Sequence, residues 1–492
     1  MNTSGPQAGE SHDPGHEGPG HDDHADHADH AIVLGAGIAG LLAAKALRSR
    51  FSSVTLVERD RLPREAPAFR PGVPHSRHLH ILWEAGMRVV ESLLPGVAEG
   101  WWEHGARMAE APKDYRWLSP VDWFGPLPGA RMLMADREVI EWAIRREVLR
   151  DGAVTVLERH EATGLTTGGD GAVTGVRIRR RGPTGDPAPE APADARTLRA
   201  GFVVDATGRG SRAPEWLTEI GRSAPAVTRY DAHLAYATRT YRPAPEHRGA
   251  PPVYVQGRTG NTKAGVSIPV DGDRWVVTLF GLGPDAPTAR EEDYLPYARD
   301  LRSPLLYERL RNAEFLSPVF GFRGTANERV HYERTTDWPP GLLVLGDAAC
   351  RFNPVYGQGM TVAALGVRAL ARALDERTPA GLRRDAHTVQ RAVADAATAA
   401  WTIATTEDLR HPGTAGPAPT LATRFSQAYM TRVMAAANKD PEVCREFFRV
   451  FSLSAPPSVL MRPTTLLRVL SHARLPAEPG TAPRPAHDPP RP

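Results

Sequence analysis

Three glycine-bearing runs carry residue types suited to holding a phosphorylated, ring-bearing cofactor. The first is Gly35-Ala36-Gly37-Ile38-Ala39-Gly40. In this pattern the first glycine turns the chain out of a strand, the second admits a pyrophosphate close to the backbone, and the third lets helix and strand pack tightly. Ile38 and Ala39 open the helix, whose unpaired N–H groups and dipole favour phosphate. Glu58 follows Gly40 by 18 residues, with Arg59 beside it. A carboxylate at the end of the next strand accepts hydrogen bonds from ribose hydroxyls. Up to this point NAD and FAD satisfy the pattern equally.

The second run lies far down the chain. Leu342-Leu343-Val344-Leu345 leads into Gly346-Asp347-Ala348-Ala349, and Asn353-Pro354-Val355-Tyr356-Gly357-Gln358-Gly359-Met360-Thr361 follows. Asp347 can hold a polyol hydroxyl, and the amides from Gly357 to Thr361, at a helix start, can stabilise negative charge on a ring system. A nicotinamide dinucleotide needs no such second site. A flavin does, because its ribityl chain and isoalloxazine extend beyond the first unit. The third run, Val203-Val204-Asp205-Ala206-Thr207-Gly208, reads as a strand entering a polar turn and by itself fits any strand exit.

These runs need particular elements to position them. Residues 31–34 are a short apolar run, followed by the glycines, a helical pattern through 50 and a second apolar run at 54–57: a βαβ unit. The spacing predicts a helix over 137–150, strands over 154–158, 172–180 and 197–204, and an exposed Pro/Gly/Ala-rich loop over 182–194. From about 232 to 330 the texture turns β-rich, with strands at 234–241, 253–256, 264–270 and 275–282. The last two join as a hairpin through Asp271-Gly272-Asp273. A buried strand at 342–345 and a helix over 361–374 return to the first texture, and helices dominate to about 470. The expected organisation is an α/β chain in which a Rossmann-like cofactor domain is split by a β-sheet insertion. It runs as a disordered His/Asp-rich tail (1–29), first cofactor part (30–230), β-rich substrate domain (231–335), second cofactor part (336–376), helical region (377–476) and flexible Pro-rich tail (477–492).

Composition excludes several classes. The chain has 492 residues, with Lys+Arg 60 against Asp+Glu 57, a net +3 that argues against a nucleic-acid partner. Only Lys45, Lys113, Lys263 and Lys439 are lysines, an arginine bias read as base composition. Cys350 and Cys444 are too few for a disulfide scaffold or a cysteine metal site, so a reducing cytoplasm is expected and no metal is assigned. No apolar stretch is long enough to span a bilayer, and the His-rich N-terminus lacks a signal pattern, reading instead as a solvated tail.

In this order and spacing the three runs resemble the flavoprotein monooxygenase superfamily typified by p-hydroxybenzoate hydroxylase. The resemblance covers residues 31–375. It implies that Asp205 and Gly208 serve FAD and the nicotinamide donor, and that Gly346-Asp347 binds the ribityl chain. Pro71-Gly72-Val73-Pro74-His75-Ser76-Arg77-His78-Leu79-His80 and Phe352-Asn353-Pro354-Val355-Tyr356-Gly357-Gln358-Gly359-Met360 are similar to squalene-epoxidase-like enzymes and the flavin epoxidases of polyether biosynthesis. By that similarity Arg77 contacts FAD near the ribityl and ring region, and Arg137 is the FAD-binding arginine that opens a helix; Pro354 and Met360 belong to the ring-side motif. Thr361 departs from the family's asparagine, Cys350 replaces a frequent histidine, and the Trp-x-Trp-x-Ile-Pro halogenase signature is absent.

The resemblance implies FAD reduced by NAD(P)H or by a partner flavin reductase, then oxygen transfer from a C4a-hydroperoxide to an alkene or aromatic ring of a hydrophobic polyketide- or terpenoid-type metabolite. Epoxidation is favoured. Aromatic hydroxylation, or reduction of the geranylgeranyl-reductase kind, is the alternative. No side chain need act as nucleophile, so no catalytic residue is assigned. His75, His78 and His80 read as packing groups and Cys350 as a small filler. Trp101-Trp102 and 115–124 fit core or cavity lining equally. The stretch 459–470 fits either contact with a membrane or lipidic substrate, or a packing helix broken by Pro463.

Overall fold

The computed structural model describes residues 27–182, 195–271 and 273–472. Short apolar runs separated by helices form a parallel sheet buried on both faces. Its order is Leu342–Val344, Phe202–Asp205, His30–Leu34, Ser53–Glu58, Val154–Glu158, and every pair is parallel. Leu34 is opposite Asp205 on one side and Val57 on the other. The helix Ile38–Leu47 lies against Gly359–Glu376 and against Arg137–Leu149. Two segments of chain separated by the whole β-rich block therefore complete one α/β layer.

The β-rich block forms a seven-stranded sheet in the order Glu314–Phe315, Leu234–Arg242, Arg274–Leu282, Ala264–Asp271, Val253–Val255, Arg116–Leu118. Phe320–Phe322 pairs on Leu234–Arg242 as well. The expected hairpin is present, with Asp271 opposite Arg274; Gly272 at its tip lies outside the described residues. The helices Glu291–Arg299 and Leu305–Leu310, which the β texture hides, cover one face of this sheet through buried Tyr294 and Leu306. Its other face looks toward the C-terminal helices Ala386–Asp408, Leu421–Ala437, Pro441–Phe451 and Pro463–His472.

Several expectations need correction. The single strand expected over 197–204 is two, Ala195–Arg199 and Phe202–Asp205, in different sheets. The chain turns at Gly201, whose N–H donates to the His27 and His30 carbonyls. A Cβ there would sit 2.3 Å from the Ala28 oxygen. The strand His160–Thr167 lies outside the expected set, because its half-buried, largely polar residues show no apolar alternation. Pro463 starts the last helix instead of breaking one, since its missing N–H costs nothing at the first position. The tail expected over 1–29 lies outside the described residues through 26, but 27–29 form a turn bonded to the sheet, the Asp29 carbonyl accepting from Ser52 N–H. The expected 182–194 loop, from 183 on, and the 477–492 tail also lie outside them. Among the described residues no helix is long and apolar enough to cross a membrane.

Candidate functional site

All three runs leave the parallel sheet at its carboxyl edge, where open α/β sheets bind ligands. Glu58 and Asp347 leave strands three places apart in that edge, about 14 Å at the usual strand spacing. Between them lie the Gly35–Gly40 turn and the Asp205–Gly208 turn. The turns touch: a Cβ on Gly35, at φ +91°, would come 2.6 Å from the Ala206 oxygen. One on Gly346 would come 3.0 Å from the Ala39 methyl. Gly208 and Asp347 are likewise neighbours, 4.0 Å by the same measure.

At the first glycine run, Gly40 supports the fold and Gly37 faces the site. A Cβ on Gly40 would lie 1.8 Å from the Gly35 oxygen, whereas one on Gly37 meets nothing within 4 Å. No side chain caps this helix and no acidic residue stands in its first turn. Its Ile38, Ala39 and Gly40 amides therefore have no intrahelical carbonyl and suit a pyrophosphate. Glu58 is turned inward, accepting the Ala36 N–H at 2.6 Å and the Asp60 N–H at 2.9 Å. Its remaining lone pairs are what it can offer a ribose. Arg59 folds over the neighbouring loop, donating to the Gly72 carbonyl at 2.8 Å.

A residue outside every sequence motif organises this end. Arg70 is 5% exposed. It meets Glu58 at 3.3 Å, Asp60 at 3.2 Å and Glu141 at 2.7 Å, and donates to the Ala36 carbonyl at 3.1 Å. Arg137 and Arg145 also reach Glu141, at 3.1 and 3.4 Å. Burial alone would raise the Glu141 carboxyl, but Arg70 and then Arg137 hold it below its ordinary value. Arg137 is thus anchored by Glu141 while its charge reaches Asp347, His75 and His80.

At the other end, Asp347 is partly exposed. No described residue hydrogen-bonds its carboxylate; burial raises its pKa, and Arg209, Arg137 and Arg351 counter that through their charge. A carboxylate with free lone pairs at this edge fits the hydroxyls of a ribityl chain. Asp205 differs: its oxygens accept from Thr207 N–H, Thr207 hydroxyl and Ser211 hydroxyl, so its carboxylate holds the turn containing Gly208.

Pro354 begins a short helical turn that ends at Gly357, φ +61°. Gly359 opens the helix Gly359–Glu376, and a Cβ on it would meet nothing within 4 Å. Met360 is buried at 9%. Thr361 is fully buried, and its hydroxyl accepts the Trp83 N–H at 3.2 Å. Its side chain therefore staples the turn to the strand Ile81–Trp83 while its amide stays at the helix start.

Arg77 has its guanidinium 4.0 Å from the Phe69 ring centroid and 4.7 Å from that of Phe320, on a groove shared with Ser76 and Glu138. His78 is buried, bonded to the Thr238 hydroxyl at 2.8 Å and edge-on to Tyr236. Burial first, then the Arg77 charge, bring its pKa down to about 4, and burial with Arg137 brings His80 to about 3. Both are neutral packing groups. Cys350 is buried, and burial pushes its thiol up.

A cavity of about 530 Å³ adjoins the ring-side turn. Asn353, Val355 and Tyr356 form part of its wall, with Trp117, Phe124, Phe280 and Phe451 among the apolar residues around it. The C-terminal helix Pro441–Phe451 is tied to the turn, because Gln358 Nε2 donates to the Phe451 carbonyl at 2.7 Å. Of the aromatic candidates, Trp117 and Phe124 line the cavity. Tyr115 is buried against Met132 and Met134, Trp101 is fully buried in the main core, and Trp102 is 44% exposed.

The family described as "FAD binding domain" matches residues 29–400. The chain belongs to this FAD-binding family. The geometry fits FAD at both ends: Gly37 and Gly359 front open space, and Asp347 has no hydrogen-bonding partner among the described residues. Protein Rv3254 of Mycobacterium tuberculosis is 33% identical over 434 residues, 86% of this FAD-binding chain and 89% of that protein. Solved structures that share the fold include the following. PqsL of Pseudomonas aeruginosa, a probable FAD-dependent monooxygenase, has TM-score 0.55 at 20% identity, covering 77% of this chain and 94% of its own. The flavin-dependent brominase Bmp2 has TM-score 0.59 at 15% identity, covering 86% and 93%. A flavoprotein/dehydrogenase from Cytophaga hutchinsonii has TM-score 0.58 at 16% identity, covering 90% and 96%.

Proposed function

We propose that this chain is an FAD-dependent monooxygenase, transferring one oxygen atom from O2 to an alkene or aromatic ring of a hydrophobic polyketide- or terpenoid-type metabolite. The observation that carries this reading is the 530 Å³ cavity that shares Asn353, Val355 and Tyr356 with the run following Asp347. A reductase acting on FAD alone would not need an apolar chamber beside the ring-side turn. FAD, when bound, supplies the redox chemistry with O2.

The residues then divide the work. The Ile38–Gly40 amides beside Gly37 hold the pyrophosphate and the Glu58 end holds the ribose. Asp347 holds the ribityl hydroxyls, and the amides of Gly359, Met360 and Thr361 place positive dipole density against the ring system. Trp117, Phe124 and Phe451 keep water from the reacting atoms. Epoxidation is the first reading, resting on the similarity to squalene-epoxidase-like enzymes and the apolar lining. Aromatic hydroxylation is the second, favoured by the Tyr356 hydroxyl on the cavity wall. The electron donor is NAD(P)H or a separate flavin reductase, and the compartment is cytoplasmic.

The test is to load the purified chain with FAD, reduce it anaerobically with NADPH, NADH or a reductase, and admit O2 with a panel of alkenes and phenols. Products heavier by one oxygen atom are expected. Products heavier by two hydrogens instead would move the reading to a geranylgeranyl-reductase-like enzyme, and a chain that takes up no FAD would sink both.

A further inference from the structure

The strand Leu234–Arg242 divides its side chains between two faces. Ala237 and Tyr241 pack under the covering helices, and the Tyr241 hydroxyl meets that of Ser267 at 2.7 Å. Leu234, Tyr236 and Thr238 point the other way, toward the cavity and the cofactor edge. Tyr236 is paired across the sheet with Phe280, which lines the cavity, and on its other side with Phe322. Its ring stacks on Phe322 at 5.3 Å and 23° and is edge-on to His78 at 4.6 Å. The Arg209 guanidinium is 5.7 Å from the Phe322 centroid, and its charge acts on both Tyr236 and Asp347. Tyr236 therefore sits on the seam between the cavity and the Asp347 end of the cofactor edge. It is 6% exposed, yet no described residue hydrogen-bonds its hydroxyl. By contrast Asp408, which ends the helix Ala386–Asp408 and is 4% exposed, accepts from Asn327, Asn353 and Tyr356. A phenol hidden from water without a partner weakens a fold, so Tyr236 calls for a ligand.

We propose that the Tyr236 hydroxyl donates a hydrogen bond to the ring system of bound FAD and favours its reduced, negatively charged form. A molecule held at one end by Asp347, with its ring reaching the cavity, passes this seam. Burial pushes the phenol above its ordinary range, against the Arg209 charge, so the group stays protonated and able to donate. Such a bond is roughly twice as strong to a charged acceptor as to a neutral one, so reduction of the cofactor tightens it. Packing and donation are separate jobs. Phe322 and His78 fix the aromatic ring of Tyr236, and the oxygen alone meets the cofactor. Tyr236 plays this part in a reductase as well as in an oxygenase, because FAD is common to both.

The test is Tyr236→Phe in the full chain, which keeps the packing and removes one oxygen atom. The variant is expected to bind oxidised FAD about fivefold, and reduced FAD about fiftyfold, more weakly than wild type. That tenfold difference lowers the two-electron potential of the bound cofactor by about 30 mV, read against a reference dye. Without FAD the variant should unfold at or above the wild-type temperature, because the hydroxyl it loses had no partner. Tyr241→Phe is the control on the opposite face. Losing the bond to Ser267 should lower its unfolding temperature and leave the potential where it was. Unchanged FAD affinity in Tyr236→Phe, equal weakening of the two redox states, or an FAD-free variant less stable than wild type would each overturn the proposal. So would a wild-type chain that takes up no FAD. Oxygen transfer is read separately, from products, so the oxygenase reading can fail while Tyr236 keeps this role, and the reverse.

Discussion

Glycines that look alike in the first run perform separable jobs, and substitution can tell them apart. Gly37 has an extended backbone at φ −75° and open space where a Cβ would go. Gly37→Ala is therefore expected to leave the thermal unfolding of the FAD-free chain unchanged while weakening FAD at least about tenfold, because the methyl enters the pyrophosphate's space. Gly40→Ala drives a methyl to 1.8 Å from a backbone oxygen, and is expected to destabilise the chain itself by about 3 kcal/mol or more. Fluorescence titration with FAD, set beside calorimetry of the FAD-free protein, separates the two; equal effects in both measurements would refute the division. Asp408 makes a residue-scale prediction of opposite sign. Its folded pKa of about 6 lies above the ordinary aspartate value of 3.8. The stability it lends is thus complete below about 3.9 and lost as pH rises through about 6. On this count the ionised group costs on the order of 3 kcal/mol at neutral pH. Asp408→Asn removes this titration and should flatten that part of the stability–pH curve, as calorimetry across the range would read.

Elements are held in register at the cofactor edge by the buried Arg70, which joins the loop after Ser53–Glu58 to the helix Arg137–Leu149. Arg70→Met would leave buried Glu58 and Glu141, and half-buried Asp60, with less compensation. The expected loss is about 3–5 kcal/mol, the usual result of removing one partner from a buried charge network. A second substitution, Glu141→Leu, should recover only part of it, since Glu58 and Asp60 remain. Chemical denaturation of the two variants checks this, and a loss under 1 kcal/mol would show the cluster to be slack. Arg70 also marks where sequence reading stops. Gly35, Gly37, Gly40, Gly346 and Gly357 were legible because a turn or close approach leaves few residue choices at fixed local spacing. Arg70 finds Glu141 71 residues away, and Asp408 finds Tyr356 and Asn327 at 52 and 81. Such partners share no local pattern. The helices Glu291–Arg299 and Leu305–Leu310 escaped for a related reason: they are short and sit inside a stretch dominated by strand-forming residues.

The whole molecule places two distant chain segments at one sheet edge, so a single ligand should clamp them together. The strand order puts the Gly37 turn next to the exit of Phe202–Asp205 and two strands from the exit that carries Asp347. That separation is about 10 Å at ordinary strand spacing, with no shared hydrogen-bond partner, so the two sites should act independently. FAD at a hundred times its dissociation constant should then raise the unfolding free energy by about 2.7 kcal/mol. Gly37→Ala and Asp347→Ala should each reduce that stabilisation, and the double variant should show the sum of the two binding losses within about 0.5 kcal/mol. Asp347→Ala adds a further check: its carboxylate has no hydrogen-bonding partner within the described chain and burial disfavours its charge, so the FAD-free variant should be no less stable than wild type. Either a loss of stability in the free Asp347→Ala chain, or a double variant that binds FAD no worse than its weaker parent, would mean that the adenosine end and the ring end are not gripped by one extended molecule lying along this edge.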